Sequence, residues 1–141
     1  DLKFSNVEAR AAVSLAAAAG DHPLSETAEH SEEDLRRAVA RVGRLMVPSL
    51  ARVLWARAKA EGATLAQARA GRALYRRALR IAFRDPLGVA DLAIDGEDLQ
   101  REGVAAGKAM GEMLKQLLDV VLADPARNTQ EALLAEVRRR R

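Results

Sequence analysis

The chain has 141 residues with a formal net charge of +3, and 49% of its residues are hydrophobic. This length allows one ordinary domain or two small helical ones, and the apolar content is sufficient for a buried core. The sequence contains no cysteine, which excludes disulfide frameworks, thiolate zinc sites and cysteine nucleophiles. No apolar run approaches the roughly 20 residues of a membrane span, so we expect a soluble, cytoplasmic protein.

The composition predicts an all-α fold. Ala contributes 30 residues, whereas Ile contributes 2 and Thr 3, and this choice favours helix over strand. Start and stop signals predict an irregular bundle of six or seven helices that is not a coiled coil. The predicted helices cover about 6–19, 32–42, 48–61, 65–84, 97–102, 107–123 and 130–139, with a surface loop at 21–30.

Several of these helix boundaries rest on short local motifs. Ser31 precedes a first turn rich in acidic residues, and Gly43 follows the same helix. Thr64 is a cap for the 65–84 helix, which Asp85-Pro86 ends, because proline cannot continue the hydrogen-bond ladder. The sign of the charge and the length of the predicted elements both change there. This change predicts a helical body over residues 1–86 and a helical tail over residues 87–141. Because the chain begins with Asp1 and not Met, we expect a longer parent protein.

Positive and negative charges are segregated along the chain. Residues 1–34 carry a charge of −6, residues 35–84 carry +12, residues 85–136 carry −7, and residues 137–141 carry +4. A block of +12 would attract a polyanion, while the acidic flanks restrain nonspecific binding. Within this block, Arg69, Arg72, Arg76, Arg80 and Arg84 recur at steps of three or four. The spacing predicts a cationic stripe on one helix face, opposite Leu74, Ala78 and Ile81.

The sequence also resembles a known family over nearly its whole length. The residues that carry this similarity are Asp91–Leu99, Gly103, Gly107–Leu114, Asp124-Pro125 and Asn128–Leu134, with weaker similarity at Leu2–Glu8, Arg36-Arg37 and Val42-Gly43. Their order and spacing resemble the carboxy-terminal part of bacterial tRNA nucleotidyltransferases, the CCA-adding enzymes and their poly(A) polymerase relatives. One departure is Ala106, where relatives often have Pro before the Gly-x-x-x-Gly helix start.

The resemblance implies a noncatalytic body and tail that grip tRNA, without the catalytic head. In such a family the head holds Mg²⁺ on paired aspartates after a Gly-Ser motif and uses CTP or ATP. We therefore expect a parent nucleotidyltransferase that adds CMP or AMP to tRNA 3′ ends, and no cofactor in this chain. The candidate RNA-binding residues are Arg37, Arg41, Arg44, Arg69, Arg72, Arg76, Arg80, Gly107, Lys108 and Gly111.

The helix start at Gly107-Lys108 is also a candidate phosphate-binding site on physical grounds. Free backbone amides and the positive end of the helix dipole attract an anion, which would offset the charge of Lys108. Gly111 lies inside the predicted helix, where glycine lowers helix stability relative to alanine. Close approach by a partner or by another helix would explain a glycine at this position. Packing against another helix, with Lys108 in solvent, remains the alternative.

Three other patterns point to sites less well. Asp91, Asp95, Gly96 and Glu102 fall at positions of a calcium-binding EF-hand loop, but Ala93 supplies no side-chain oxygen. His22 and His30 could ligate zinc but have no further soft ligands. The aromatic residues Trp55, Tyr75 and Phe83 occupy core-compatible helical positions, too sparse for a base-stacking platform.

Two other functions remain open. A helical protein-interaction module, including a homodimer without an RNA role, would use the arginine block against an acidic partner or the chain's own acidic flanks. A stand-alone enzyme is the least favoured, because no nucleophile and base are paired in the sequence.

Overall fold

The computed structural model describes residues 31–141, and these residues form an all-α structure without strands. The helix expected at 6–19 and the loop expected at 21–30 lie outside this range. Within it are six α-helices: α1 (Glu32–Val42), α2 (Val47–Ala60), α3 (Leu65–Arg84), α4 (Gly96–Arg101), α5 (Lys108–Ala123) and α6 (Gln130–Arg140). Short 3₁₀ helices lie at Arg44–Met46, Val89–Asp91 and Pro125–Arg127.

The helix ends follow the local motifs. The Ser31 hydroxyl accepts the Asp34 N–H at 3.1 Å, while the Asp34 carboxylate accepts the Ser31 N–H, which together form a capping box. Thr64 and Gln67 make the same reciprocal pair at the start of α3. Gly43, with φ of +91°, ends α1 in a conformation that favours glycine.

The described chain divides into two compact units between Arg84 and Asp85. In the first unit, α1 and α2 both pack against α3. Leu35 and Val39 from α1, Val47 and Ala58 from α2, and Ile81 and Ala82 from α3 are buried. The buried stripe of α3 thus faces the other two helices, which leaves its opposite side for the arginines.

The second unit has its own hydrophobic core. This core contains Leu92, Ile94, Leu99, Leu117, Val121, Leu133 and Val137. Helix α5 packs against α6 and against the 3₁₀ helices at Val89–Asp91 and Pro125–Arg127. Asn128 joins two segments by accepting the Ala93 N–H at 2.8 Å and donating to the Asp91 carbonyl at 2.9 Å. None of the helices between residues 31 and 141 has the length and hydrophobicity to cross a membrane.

Candidate nucleic-acid interface

Five arginines on α3 form an exposed row, which we call the α3 stripe: Arg69, Arg72, Arg76, Arg80 and Arg84. At 100° per residue they fall within an arc of about 120°, and they extend for about 22 Å along the helix. Ile81 and Ala82, on the other side of α3, are 1% and 0% exposed. The amphipathic period therefore separates a buried face from a cationic one.

One carboxylate reaches this stripe from α1. Glu32 accepts the Arg77 Nε–H at 2.9 Å and lies 3.3 Å from Nη2 of Arg80. The hydrogen bond from Arg77, followed by the charges of both arginines, holds the pKa of Glu32 below its usual value. Arg80 is therefore partly neutralised. Arg69, Arg76 and Arg84 form no ion pair with the residues that the structure describes, and these three define the open part of the stripe.

The arginines near α1 differ from one another in their surroundings. Arg37 pairs with Glu33 one helical turn earlier, at 2.8 Å, whereas Arg41 is exposed and has no carboxylate partner in the described part of the chain. Arg44 lies beyond Gly43, on the 3₁₀ helix Arg44–Met46, and is half-buried.

The start of α5 is an open helix end. Gly107 has φ of +94° and supplies no side-chain cap, and Lys108 is the exposed first residue of the helix. The first N–H groups of such a helix lack intrahelical acceptors. A Cβ added at Gly107 or Gly111 would meet no atom within 4 Å. Close packing by another described helix is therefore not the reason for Gly111. Lys108 belongs to the second unit, whereas the α3 stripe belongs to the first.

The carboxy-terminal arginines are matched by carboxylates of their own unit. Glu136 is only 3% exposed and accepts hydrogen bonds from Arg127, Arg139 and Arg140. The hydrogen bond from Arg139, followed by that from Arg140, lowers the pKa of Glu136 to about 2.

The remaining two arginines of this block bind Glu102. Arg138 pairs with the Glu102 carboxylate, and Arg141 donates to the Glu102 carbonyl. The basic block at residues 137–141 is thus engaged inside the second unit.

The acidic residues of the calcium-like pattern also have structural partners. Asp91 accepts the N–H groups of Leu87 and Gly88 at 3.0 Å, and Asp95 caps α4 by accepting the Glu97 N–H at 2.9 Å. Within residues 31–141, no group of three or more histidine, aspartate or glutamate side chains is arranged to hold a metal ion. His22 and His30 lie outside the described residues.

The first unit also contains a groove that was not predicted from the sequence. Helices α1, α2 and α3 form this largely apolar, partly open cavity of about 620 Å³, lined by side chains that include Val39, Leu54 and Leu74. Trp55 lies at this groove with 47% of its surface exposed, and Cζ of Arg72 is 5.7 Å from the centroid of the indole ring.

Two aromatic residues expected at core positions are therefore exposed. Phe83 is 61% exposed, and Trp55 is nearly half exposed. A signal for Trp55 was present in the sequence, because Arg52 and Lys59 lie three residues before it and four after it on the same helical face.

Comparison with known proteins identifies the family. A family model described as tRNA nucleotidyltransferase domain 2, putative, matches residues 1–137. No match was found among curated proteins or among solved structures. The match covers nearly the whole chain, and it confirms the resemblance carried by segments such as Asp91–Leu99 and Gly107–Leu114. The chain therefore belongs to the tRNA nucleotidyltransferase domain 2 family.

Proposed function

We propose that this chain is a noncatalytic tRNA-binding region of an RNA nucleotidyltransferase, and that its first unit holds the RNA backbone. The observation that carries the proposal is the α3 stripe, where Arg69, Arg76 and Arg84 are exposed without carboxylate partners in the described residues. A helix that is merely soluble usually intersperses both signs of charge. Guanidinium groups match phosphate geometry, and folded RNA is recognised largely through its shape and backbone.

The start of α5 offers a second backbone contact in this proposal. Lys108 would pair with a phosphate, and the uncapped amides of the first turn would donate to its oxygens. The open surface at Gly107 and Gly111 would let the sugar-phosphate chain approach closely. Arg41, on α1, would add a further contact with the RNA backbone. Arg37 and Arg80 would contribute less, because Glu33 and Glu32 neutralise them.

The chemistry of nucleotide addition belongs to the parent protein in this proposal. A head outside the chain would bind CTP or ATP with Mg²⁺ and transfer CMP or AMP to the tRNA 3′ end. Among residues 31–141, no three carboxylate or histidine side chains are arranged to hold a metal ion. In this proposal these residues position the RNA, and the transfer step is assigned to the head.

Fluorescence anisotropy with labelled tRNA at several salt concentrations tests the proposal. The double charge reversal Arg72→Glu and Arg76→Glu should weaken binding by more than roughly tenfold at low salt. Single substitutions give a matched pair, because Arg76 has no partner among the described residues whereas Arg57 pairs with Glu61 at 2.8 Å. Arg76→Ala should lower the salt slope by about 1, and Arg57→Ala, with the same loss of charge, should change it less. Equal effects of the two would mean that net charge alone drives binding.

A protein-interaction module is the second candidate function. Leu45 and Leu65 are 78% and 65% exposed in the first unit, and such side chains suit a protein interface. Sedimentation separates the two functions, because a salt-sensitive homodimer that does not bind RNA would favour the interaction module.

A further inference from the structure

We infer that the groove beside Trp55 is a stacking site for an unpaired base of RNA. This inference rests on the proposed function and adds to it a preference for single-stranded nucleotides next to a duplex. The groove combines an exposed indole, an apolar interior and a cationic rim. Its ligand must therefore make contact with all three.

The chemistry of the groove matches a nucleotide. Its cavity of about 620 Å³ is of the size that accommodates a small organic ligand. Four arginines line it, namely Arg37, Arg41, Arg52 and Arg72, and Arg37 is paired with Glu33. The single carboxylate in the lining is that of Asp34, which accepts the Ser31 N–H in the α1 capping box. A purely apolar occupant would contact the interior of the groove but would not use the positive charge at its rim. A flat base attached to phosphates would use both the apolar interior and the charged rim.

Arg72 connects this groove with the α3 stripe. It is a member of the stripe, and its Cζ lies 5.7 Å from the Trp55 ring centroid, within cation–π range. An RNA backbone that follows the stripe would therefore bring its bases to the indole. Bases inside a duplex are stacked on one another and cannot reach an aromatic side chain, whereas bases in single strands can. The site should therefore select an unpaired nucleotide.

The single tryptophan of the chain makes this inference directly measurable. The experiment compares a blunt RNA duplex with the same duplex carrying a short single-stranded 3′ extension. Anisotropy of the labelled RNA gives the affinity, and Trp55 emission reports stacking. We expect the extension to quench Trp55 and to raise affinity by roughly 5-fold to 100-fold, which is the range for stacking of one base on an aromatic residue. An extension of abasic nucleotides should do neither.

Three variants separate stacking from charge. Trp55→Leu should remove the advantage of the extension while leaving blunt-duplex affinity unchanged, and Trp55→Phe should restore part of it. Arg76→Ala, outside the groove lining, should weaken both RNAs equally and leave their ratio unchanged. Circular dichroism of each variant verifies the fold, which should persist because Trp55 is half exposed.

Each contrary outcome has a distinct meaning. If the blunt duplex binds and the extension neither quenches Trp55 nor adds affinity, the stacking site is refuted and the proposed function stands. If neither RNA binds at low salt, the proposed function is refuted together with this inference. If Trp55 is shielded from iodide without RNA, or is quenched as the protein dimerises, the groove is covered by protein and the inference is overturned.

Discussion

Replacing Gly111 with Ala should stabilise the second unit and weaken its contact with RNA. Gly111 is the fourth residue of α5, in a helix interior where glycine costs about 0.5–1 kcal/mol relative to alanine. The added Cβ would meet no atom within 4 Å, so no steric penalty offsets this gain. We therefore expect the free energy of unfolding to rise by about 0.5–1 kcal/mol. For a small domain, 1 kcal/mol corresponds to a Tm increase of roughly 4–8 °C.

Gly107→Ala is the matched control, since the same methyl group is added four residues earlier. Gly107 has φ of +94° and ψ of −136°, near a region that is essentially restricted to glycine. Space around it is also open, so only backbone strain should act. We expect this variant to lose about 1–3 kcal/mol of unfolding free energy. The two variants should thus change stability in opposite directions.

Amide hydrogen exchange over Lys108–Ala123 is the appropriate assay, because Trp55 fluorescence reports only the first unit. The exchange of these amides is measured at increasing urea concentrations. The urea concentration at which half of the protection of α5 is lost should rise for Gly111→Ala and fall for Gly107→Ala. Unchanged or reduced protection in Gly111→Ala would refute the reasoning, since it would mean that the position is not an open helix interior. A more stable Gly111→Ala variant with unaltered tRNA affinity would remove the α5 start from the proposed RNA interface.

Three further predictions concern the carboxylates that engage arginines. Glu136→Gln should lower the free energy of unfolding by about 1–3 kcal/mol, because a buried acceptor of charge-assisted hydrogen bonds is lost, and chemical denaturation checks this. Because the pKa of Glu136 is lowered from 4.5 to about 2 in the folded state, its contribution to the free energy of unfolding should be complete above about pH 4.5 and lost as the pH falls towards 2. Acid titration followed by circular dichroism should show this loss in the wild type, and it should be smaller in Glu136→Gln. Glu32→Gln should weaken the pairing that neutralises Arg80 and raise tRNA affinity by a few-fold, so a decrease in anisotropy titrations would contradict the assigned role of Glu32.

Charge segregation along the chain has different consequences in the two units. In the second unit, Glu136 and Glu102 engage the carboxy-terminal arginines, so a basic segment of sequence produces little free cationic surface. In the described part of the first unit, residues 31–84, the acidic side chains are fewer, and Glu32 meets only Arg80 of the α3 stripe. Among residues 31–141, arginines without a carboxylate partner therefore lie on α3 and at the neighbouring rim of the groove.

The sequence by itself determined the all-α class, most helix boundaries and the exposed arginine row. These features depend on interactions within one or two helical turns: the Ser31–Asp34 cap, the Thr64–Gln67 cap, the stop at Asp85-Pro86 and the period of the α3 arginines. Such signals depend only on neighbouring residues, so they can be recognised without knowing how the helices pack.

Only the tertiary structure decided which charges remain available. Arg80 meets Glu32 from 48 positions away, and Arg138 meets Glu102 from 36 positions away, pairings that no local spacing indicates. The exposure of Trp55 and its contact with Arg72 likewise depend on how α2 and α3 pack. Helix periodicity specifies which side chains share a face, whereas the partner that covers or neutralises a face comes from helices distant in sequence.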